Sequence, residues 1–365
     1  MARAVDSPAT VQPEGYNTVE QKGKNRFGNL LFLAVLIALT FYLLLKDLNM
    51  SCLWENITEA NGWFLLGGFL MMLVFLCLEG QCYRVMLRSL GEPAPLWPSF
   101  AYACADFYVS SITPSATGGQ PAVVYYMKKD GVSVAKGSII LLLYTVIYKA
   151  VLITLGIAAV VLYPSLITEG EWYFQALFIY GVVLNLIVMS LFVLAMYSNK
   201  MIERVGRWFI RSGSKIRLVR NPDAKMTALE AQLQDYRESA LHVRQHPLLL
   251  LKVYGWAMLQ RLAMFSVSFW VYCSMGHSSL SIVHLIAIQV LISLAVDSLP
   301  LPGAVGAAEK MFLTLYGSIY AAGELEPALL LTRGINYYGC LLLCGIICVI
   351  YHRQVMRRSA KLSRC

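Results

Sequence analysis

Charge is scarce in this chain: Asp, Glu, Lys and Arg make up 14% of its 365 residues, where soluble domains carry about 25%. Histidine is rarer still, with five residues. His277 and His284 have no partners at metal-ligand spacing and are read as hydrogen-bonded loop and interface residues, so no metal is expected. There is no Walker phosphate loop, no dinucleotide fingerprint, no Gly-x-Ser-x-Gly elbow and no His-Glu-x-x-His helix. Cofactors are therefore not expected, and neither is nucleotide hydrolysis as an energy source. The nine cysteines are scattered, most of them within apolar runs, and a disulfide scaffold is a poor reading. Cys340, Cys344 and Cys348 share one helix face, where thiols behave as small apolar groups.

What the chain has instead is apolar length. Hydrophobic residues make up 58% of it and its mean hydropathy is +0.60. That composition excludes a soluble enzyme or a nucleic-acid-binding domain and gives an all-α integral membrane protein. A helix needs about 20 apolar residues to cross the hydrocarbon. Six runs qualify, at 27 to 45, 61 to 83, 137 to 163, 173 to 197, 248 to 274 and 328 to 351. The first lacks a small-residue cleavage site and reads as a retained anchor.

The charges sort by loop. Segments 1 to 26, 84 to 96, 128 to 136, 198 to 247 with Lys252, and 352 to 365 hold 25 basic residues against 10 acidic ones. Segments 46 to 62, 164 to 172, 275 to 281 and 323 to 327 hold one Lys and seven acids. Because Lys and Arg resist translocation, the first set and both termini are expected in the cytoplasm of a multi-pass plasma-membrane protein. The basic loop 198 to 247 contains an amphipathic stretch around Met226, Leu229, Leu233, Tyr236 and Ala240, suited to the anionic inner leaflet. Docking of a separate synthase is its alternative use.

Two further apolar stretches, 97 to 127 and 282 to 322, are interrupted by Pro and Gly. The charges flanking each put its two ends on one side of the membrane. Both are expected to be re-entrant hairpins of opposite orientation, with a pair of tilted full spans as the alternative. Their tips, beginning at Pro114 and Pro302, share Pro-x-Ala-x-Gly at an offset of 188 residues. The same offset carries 61 to 83 onto 249 to 271, and 137 to 163 onto 325 to 351. An inverted repeat results, with repeat 1 at 61 to 163 and repeat 2 at 248 to 351, inside a transmembrane domain of 27 to 351.

Irregular backbone at membrane depth must line protein or a water-filled cavity, so the tips mark a binding site. In the first tip Thr113, Ser115, Thr117 and Gln120 supply polar groups, and Gly118 and Gly119 allow close approach. With a helix beginning just beyond, this suits an anion such as phosphate. The second tip offers Gly303, Gly306 and the acid Glu309, which suits a cationic group.

Thr113-Pro-Ser-Ala-Thr-Gly-Gly-Gln-Pro121, followed by Tyr125, and Pro300-Leu-Pro-Gly-Ala-Val-Gly-Ala-Ala-Glu309 resemble the lysylphosphatidylglycerol synthase/flippase membrane-domain family, which includes the multiple peptide resistance factors. The resemblance covers roughly 27 to 351. It implies moving a phospholipid with a substituted headgroup, typically aminoacylated phosphatidylglycerol, and so changing membrane charge and resistance to cationic peptides. Full-length members carry a soluble aminoacyl-transferase domain after the membrane part. Only 14 residues follow the last span here, so phosphatidylglycerol lysyltransferase activity is not expected of the chain by itself. Partners left open are a separate synthase and a second copy of the chain. A polyprenyl phosphate is an alternative lipid.

Ionisable residues in apolar stretches complete the candidate site. Arg261 is read as a phosphate ligand, or as an ion-pair partner of Asp297 or Glu309. Glu309 contacts a headgroup or proton, or else pairs with Lys310 or Arg261. Lys149 reaches a cavity or snorkels through its water, and Asp106 binds substrate or pairs with Lys149. Glu79 is placed at the cytoplasmic interface, and Arg333 either snorkels to the outer interface or serves the site.

Overall fold

The computed structural model describes residues 57–113, 116–168, 170–197, 236, 238–241, 245–299, 301–321 and 323–362. Those residues are helical throughout their regular structure, as expected of an all-α membrane protein. The run 27 to 45, most of the loop 198 to 247, and Pro114, Ser115 and Pro300 lie outside them.

Local signals set the helix starts. α1 (Gly62–Ser89) begins where the Asn61 side chain accepts the Trp63 N–H at 3.0 Å. Gly91, at φ 73°, follows its end. Serine caps start two more helices: Ser133 accepts from Lys136 N at 3.2 Å, and Ser281 from His284 N at 3.3 Å. In order along the chain, α2 is Leu96–Ser111, α3 Gly119–Lys129, α4 Val134–Leu162, α5 Trp172–Tyr197, α6 Pro247–Phe265 and α7 Val267–Ser274. Then come α8 (Ile282–Val296), α9 (Ala307–Tyr316) and α10 (Leu325–Arg333). A π-helical turn, Gly334–Gly339, joins α10 to α11 (Cys340–Leu362).

Five helical stretches among the described residues are long and apolar enough to cross a membrane: Gly62–Ser89, Val134–Leu162, Trp172–Met196, Pro247–Ser274 and Leu325–Arg358. Each coincides with one of the expected runs. The interrupted stretches are helical hairpins instead. α2 and α3 are about 24 Å and 16 Å long, and α8 and α9 about 22 Å and 15 Å, at 1.5 Å per residue. Each is shorter than the roughly 30 Å of a hydrocarbon core.

The offset of 188 residues extends to structure. It carries the first residue of α3, Gly119, onto the first residue of α9, Ala307. Packing repeats in the same way: α1 lies against α2 and α7 against α8; α2 against α11 and α8 against α4; α3 against α4 and α9 against α10. Each hairpin thus packs on the long helix that closes the other repeat. α1 and α6 meet between the repeats, and α5 packs on α4 and α8. Along α5, Ile179, Val183, Leu186, Ile187, Leu191 and Leu194 are exposed. Such a surface suits contact with lipid chains, where an apolar side chain has no reason to turn inward.

Candidate functional site

The first hairpin turns at the end of α2. Thr113 Oγ1 donates to Val109 O at 2.8 Å and accepts the Gly118 N–H at 3.0 Å. Ser110 Oγ lies 3.3 Å from Asp106 Oδ1 and 3.2 Å from Ala116 O. Gly119 starts α3 directly against α2, and any Cβ added there would collide with the Asp106 carboxylate and the Ser110 hydroxyl. Only a glycine lets an acid sit this close to the positive end of the new helix. Gln120 is fixed by donating from Nε2 to Thr145 Oγ1 at 2.5 Å.

The second tip is built differently. Gly303 has φ 59°, and its missing Cβ leaves room for the Tyr337 ring. That tyrosine donates to Ser111 O in the first hairpin at 3.1 Å. Glu309 turns back on its own helix: its Oε2 accepts the Gly306 N–H at 2.5 Å, and its Oε1 pairs with Arg333 Nε at 2.8 Å. Both hairpins therefore hold a carboxylate against the first turn of their second helix, Asp106 for α3 and Glu309 for α9.

Between the tips lies a cavity of about 660 Å³. Six of the sequence-selected residues line it: Asp106, Thr117, Gln120, Lys149, Arg261 and Gly303. Thr113, Gly118, Gly119, Gly306 and Glu309 are not in its wall and instead build the turns around it. Ser115 is outside the described residues. The phosphate cradle expected at the first tip is already filled, since the Gly118 N–H is taken by Thr113 and Asp106 occupies the space beside Gly119.

The charges inside pair in ways the chain order did not suggest. Lys149 bonds to Asp297, which also accepts from the Tyr148 hydroxyl. Asp106 does not meet Lys149: its Oδ2 is 2.8 Å from the Tyr83 hydroxyl, which is 3.2 Å from Glu79 Oε1. Glu79 also accepts from Gln260 Nε2 at 2.8 Å, and Gln260 accepts from Tyr144 at 3.1 Å. Arg261 forms no hydrogen-bonded pair with Asp297 or Glu309 among the described residues. Its guanidinium lies 4.1 Å from the ring centre of Tyr148 and 5.4 Å from that of Phe75, with Nη1 3.6 Å from Met264 Sδ.

Arg261 Nε is buried without a hydrogen-bond partner among the described residues. The same holds for Ser298 Oγ, Thr332 Oγ1, Arg333 Nη2 and Asn336 Oδ1, and all five atoms belong to residues of this cavity wall. Unpaired buried polar atoms are rare in folded proteins. Their gathering at one cavity marks a place built for a polar guest. No group of three His, Cys, Asp or Glu residues suited to a metal occurs among the described residues.

Glu79 corrects the sequence expectation, and Arg333 resolves one. The run read as ending at 83 continues as helix to Ser89, which draws Glu79 inward until it is 4% exposed. Arg333, for which the sequence leaves both the interface and the site open, lines the cavity beside Asn336 and Tyr337. Both carried the signal of a charge in an apolar span, and only the helix boundaries hid their depth.

A family model described as the lysylphosphatidylglycerol synthase TM region matches residues 29–344. The chain belongs to this family. The matched residues include both hairpins, all of α1 to α10 and the start of α11, so the whole cavity wall falls within the family region. The chain is also similar to a UPF0104 membrane protein of Archaeoglobus fulgidus, 30% identical over 89 residues. That alignment covers 24% of this chain and 27% of the archaeal protein. Family membership and the five long apolar helices together make this a multi-pass membrane protein.

Proposed function

We propose that the protein moves a phospholipid with a substituted, aminoacylated headgroup, lysylphosphatidylglycerol being the lead case, between the leaflets of the cell membrane. The headgroup passes through the cavity while the acyl chains stay in lipid. One observation carries this proposal: the Arg261 guanidinium, with Nε unpartnered, stands in a 660 Å³ cavity between two hairpins too short to cross the bilayer. A desolvated arginine with free N–H groups is a strong ligand for phosphate. Glu309 already serves Gly306 and Arg333, so the acids available to the cationic part of the headgroup are Glu79 and Asp106. In this scheme the hairpins enter from opposite faces of the membrane, both termini are cytoplasmic, and the basic loop 198 to 247 rests on the inner leaflet.

The family's own description names a synthase, which supports a second proposal. The chain would then supply the membrane half of a phosphatidylglycerol lysyltransferase acting with a soluble partner. Reconstitution separates the two. Purified protein in vesicles containing phosphatidylglycerol, lysylphosphatidylglycerol or a polyprenyl phosphate is expected to speed leaflet exchange of the aminoacylated lipid. Exchange of none of them overturns transport, and lysylphosphatidylglycerol made from charged transfer RNA by the chain with a partner supports the second proposal.

A further inference from the structure

Glu79 and Asp106 enter the cavity wall from α1 and α2 and meet at one phenol. The Tyr83 hydroxyl is 2.8 Å from Asp106 Oδ2 and 3.2 Å from Glu79 Oε1. A phenol has a single proton to donate. When it donates to the nearer Asp106, its oxygen faces Glu79, and that contact is favourable only if Glu79 carries a proton and donates it back. The remaining neighbours are committed: Gln260 donates to Glu79 Oε2, Ser110 lies against Asp106 Oδ1, and Tyr144 donates to Gln260.

The balance of charge gives the same answer independently. Lys149 is paired with Asp297, and Arg333 with Glu309. Lys310, next to Glu309, is exposed and lies over the Tyr173 ring. Among the described residues, two carboxyls then remain against one guanidinium, since Arg261 is the cation that acts on both Glu79 and Asp106. The other titratable groups facing them are Cys82 and Tyr83 on α1 itself and Tyr144 and Tyr148 from α4, and none brings a positive charge. With both acids ionised, an uncompensated negative charge would sit in a mostly apolar cavity, an expensive arrangement at membrane depth.

One added positive charge completes the site, and two species can provide it. Resting on the transport proposal above, we propose that Glu79 and Asp106 form a proton site, and that the protein exchanges one proton for each headgroup of net charge +1. Lysylphosphatidylglycerol is such a lipid, with one phosphate and two ammonium groups. On its arrival an ammonium takes the place of the proton beside the carboxyl pair. The carboxyl O–H bond breaks, its proton leaves to water, and the ammonium N–H groups hydrogen-bond the resulting carboxylate while Arg261 takes the phosphate. Neutral and anionic headgroups leave the proton where it is. Because one unit charge replaces another, the exchange moves no net charge across the membrane.

Infrared difference spectroscopy on the purified full-length protein in lipid nanodiscs reads the proton directly. The carbonyl stretch of a protonated carboxylic acid is expected in the protein alone, is lost on adding lysylphosphatidylglycerol, and persists with phosphatidylglycerol. It should be missing in Glu79→Gln and displaced in frequency in Tyr83→Phe, which leaves both acids intact. In proteoliposomes, a difference of one pH unit should bias lysylphosphatidylglycerol about tenfold toward the leaflet facing the acidic side. Glu79→Gln or Asp106→Asn should remove that bias. A wild-type protein without the carboxylic-acid band, or with a band indifferent to lysylphosphatidylglycerol, overturns the proton site. So does headgroup-selective exchange that ignores the pH difference, an outcome that leaves the transport proposal standing. Absence of exchange for every lipid overturns transport, and the infrared band still decides whether the site binds a proton.

Discussion

Ala116 and Ala304, at the tips of the two hairpins, lie 188 residues apart and share one unusual backbone conformation, with φ of 53° and 51°. They are the two non-glycine residues with positive φ among the described residues. Left-handed backbone costs an L-residue roughly 1–2 kcal/mol, so the same strain is held at both tips. Ala116→Gly and Ala304→Gly should each stabilise the protein by about 1 kcal/mol. Valine at either position should lower the thermal midpoint. Thermal unfolding in detergent checks this, and equal midpoints for the glycine and valine variants would count against strain at the tips.

Gly119→Ala should disable the cavity while leaving the long helices in place. The added methyl group meets the Asp106 carboxylate and must push α3 from α2 or drive the acid off its partner. A loss of lipid exchange well over tenfold is expected. Gly255→Ala, where a Cβ meets nothing within 4 Å, is the matched control and should behave as wild type.

Arg261→Ala should reduce exchange of every phosphate lipid by more than tenfold, since a charge-assisted bond to phosphate is worth about 1.5–3 kcal/mol. Lysine at this position should recover only part of the loss, because an ammonium cannot present the forked donors of a guanidinium. Headgroup exchange rates measured side by side for the two variants provide the check.

Glu309→Gln tests a different role from the one its place in the sequence suggests. The substitution leaves Arg333 without its counter-ion, at a cost of about 3–5 kcal/mol. Stability should fall and all headgroups should be affected alike. Glu309→Gln combined with Arg333→Gln should regain most of that stability. A selective loss of cationic lipids in a stably folded Glu309→Gln protein would return Glu309 to the headgroup.

Accessibility tests the topology. In a background cleared of native cysteines, Cys placed at Glu324 should label from outside, and at Lys128 and Arg357 from inside. Thr117 and Ser298, both in the cavity wall, should react with small aqueous reagents despite lying within the hydrophobic thickness. Protection of both positions would remove the aqueous cavity.

Much of this was legible in the chain itself. Apolar length fixed the long helices, and the shared Pro-x-Ala-x-Gly fixed where the hairpins turn. Charge pairing was not legible, because it depends on which way each side chain points: Lys149 reaches across to Asp297 in the other repeat, and Glu79 meets Asp106 on the next helix through Tyr83. Hydropathy gives the depth of a residue along the membrane normal but not the direction in which it points around its helix. Depth alone accordingly leaves Asp106 open to pairing with Lys149, whereas geometry assigns each a different partner. The tip glycines read as ligand cradles in the sequence, which does not show that neighbouring side chains occupy the space they leave.

The π-helical turn Gly334–Gly339 has a consequence for the two ends of the final helix. Its wider winding accommodates one residue more than an α-helical turn would. Above it Arg333 faces the cavity; below it Tyr351 bonds to Asp130, which also receives the Tyr102 hydroxyl at 2.6 Å. One residue advances an α-helix by about 100°. Removing that extra residue would swing Tyr351 roughly a quarter turn from Asp130 while Arg333 kept its place. The turn therefore sets the phase between the cavity and the far end of the first hairpin, so a rewinding of this single segment would change the angle at which one is coupled to the other.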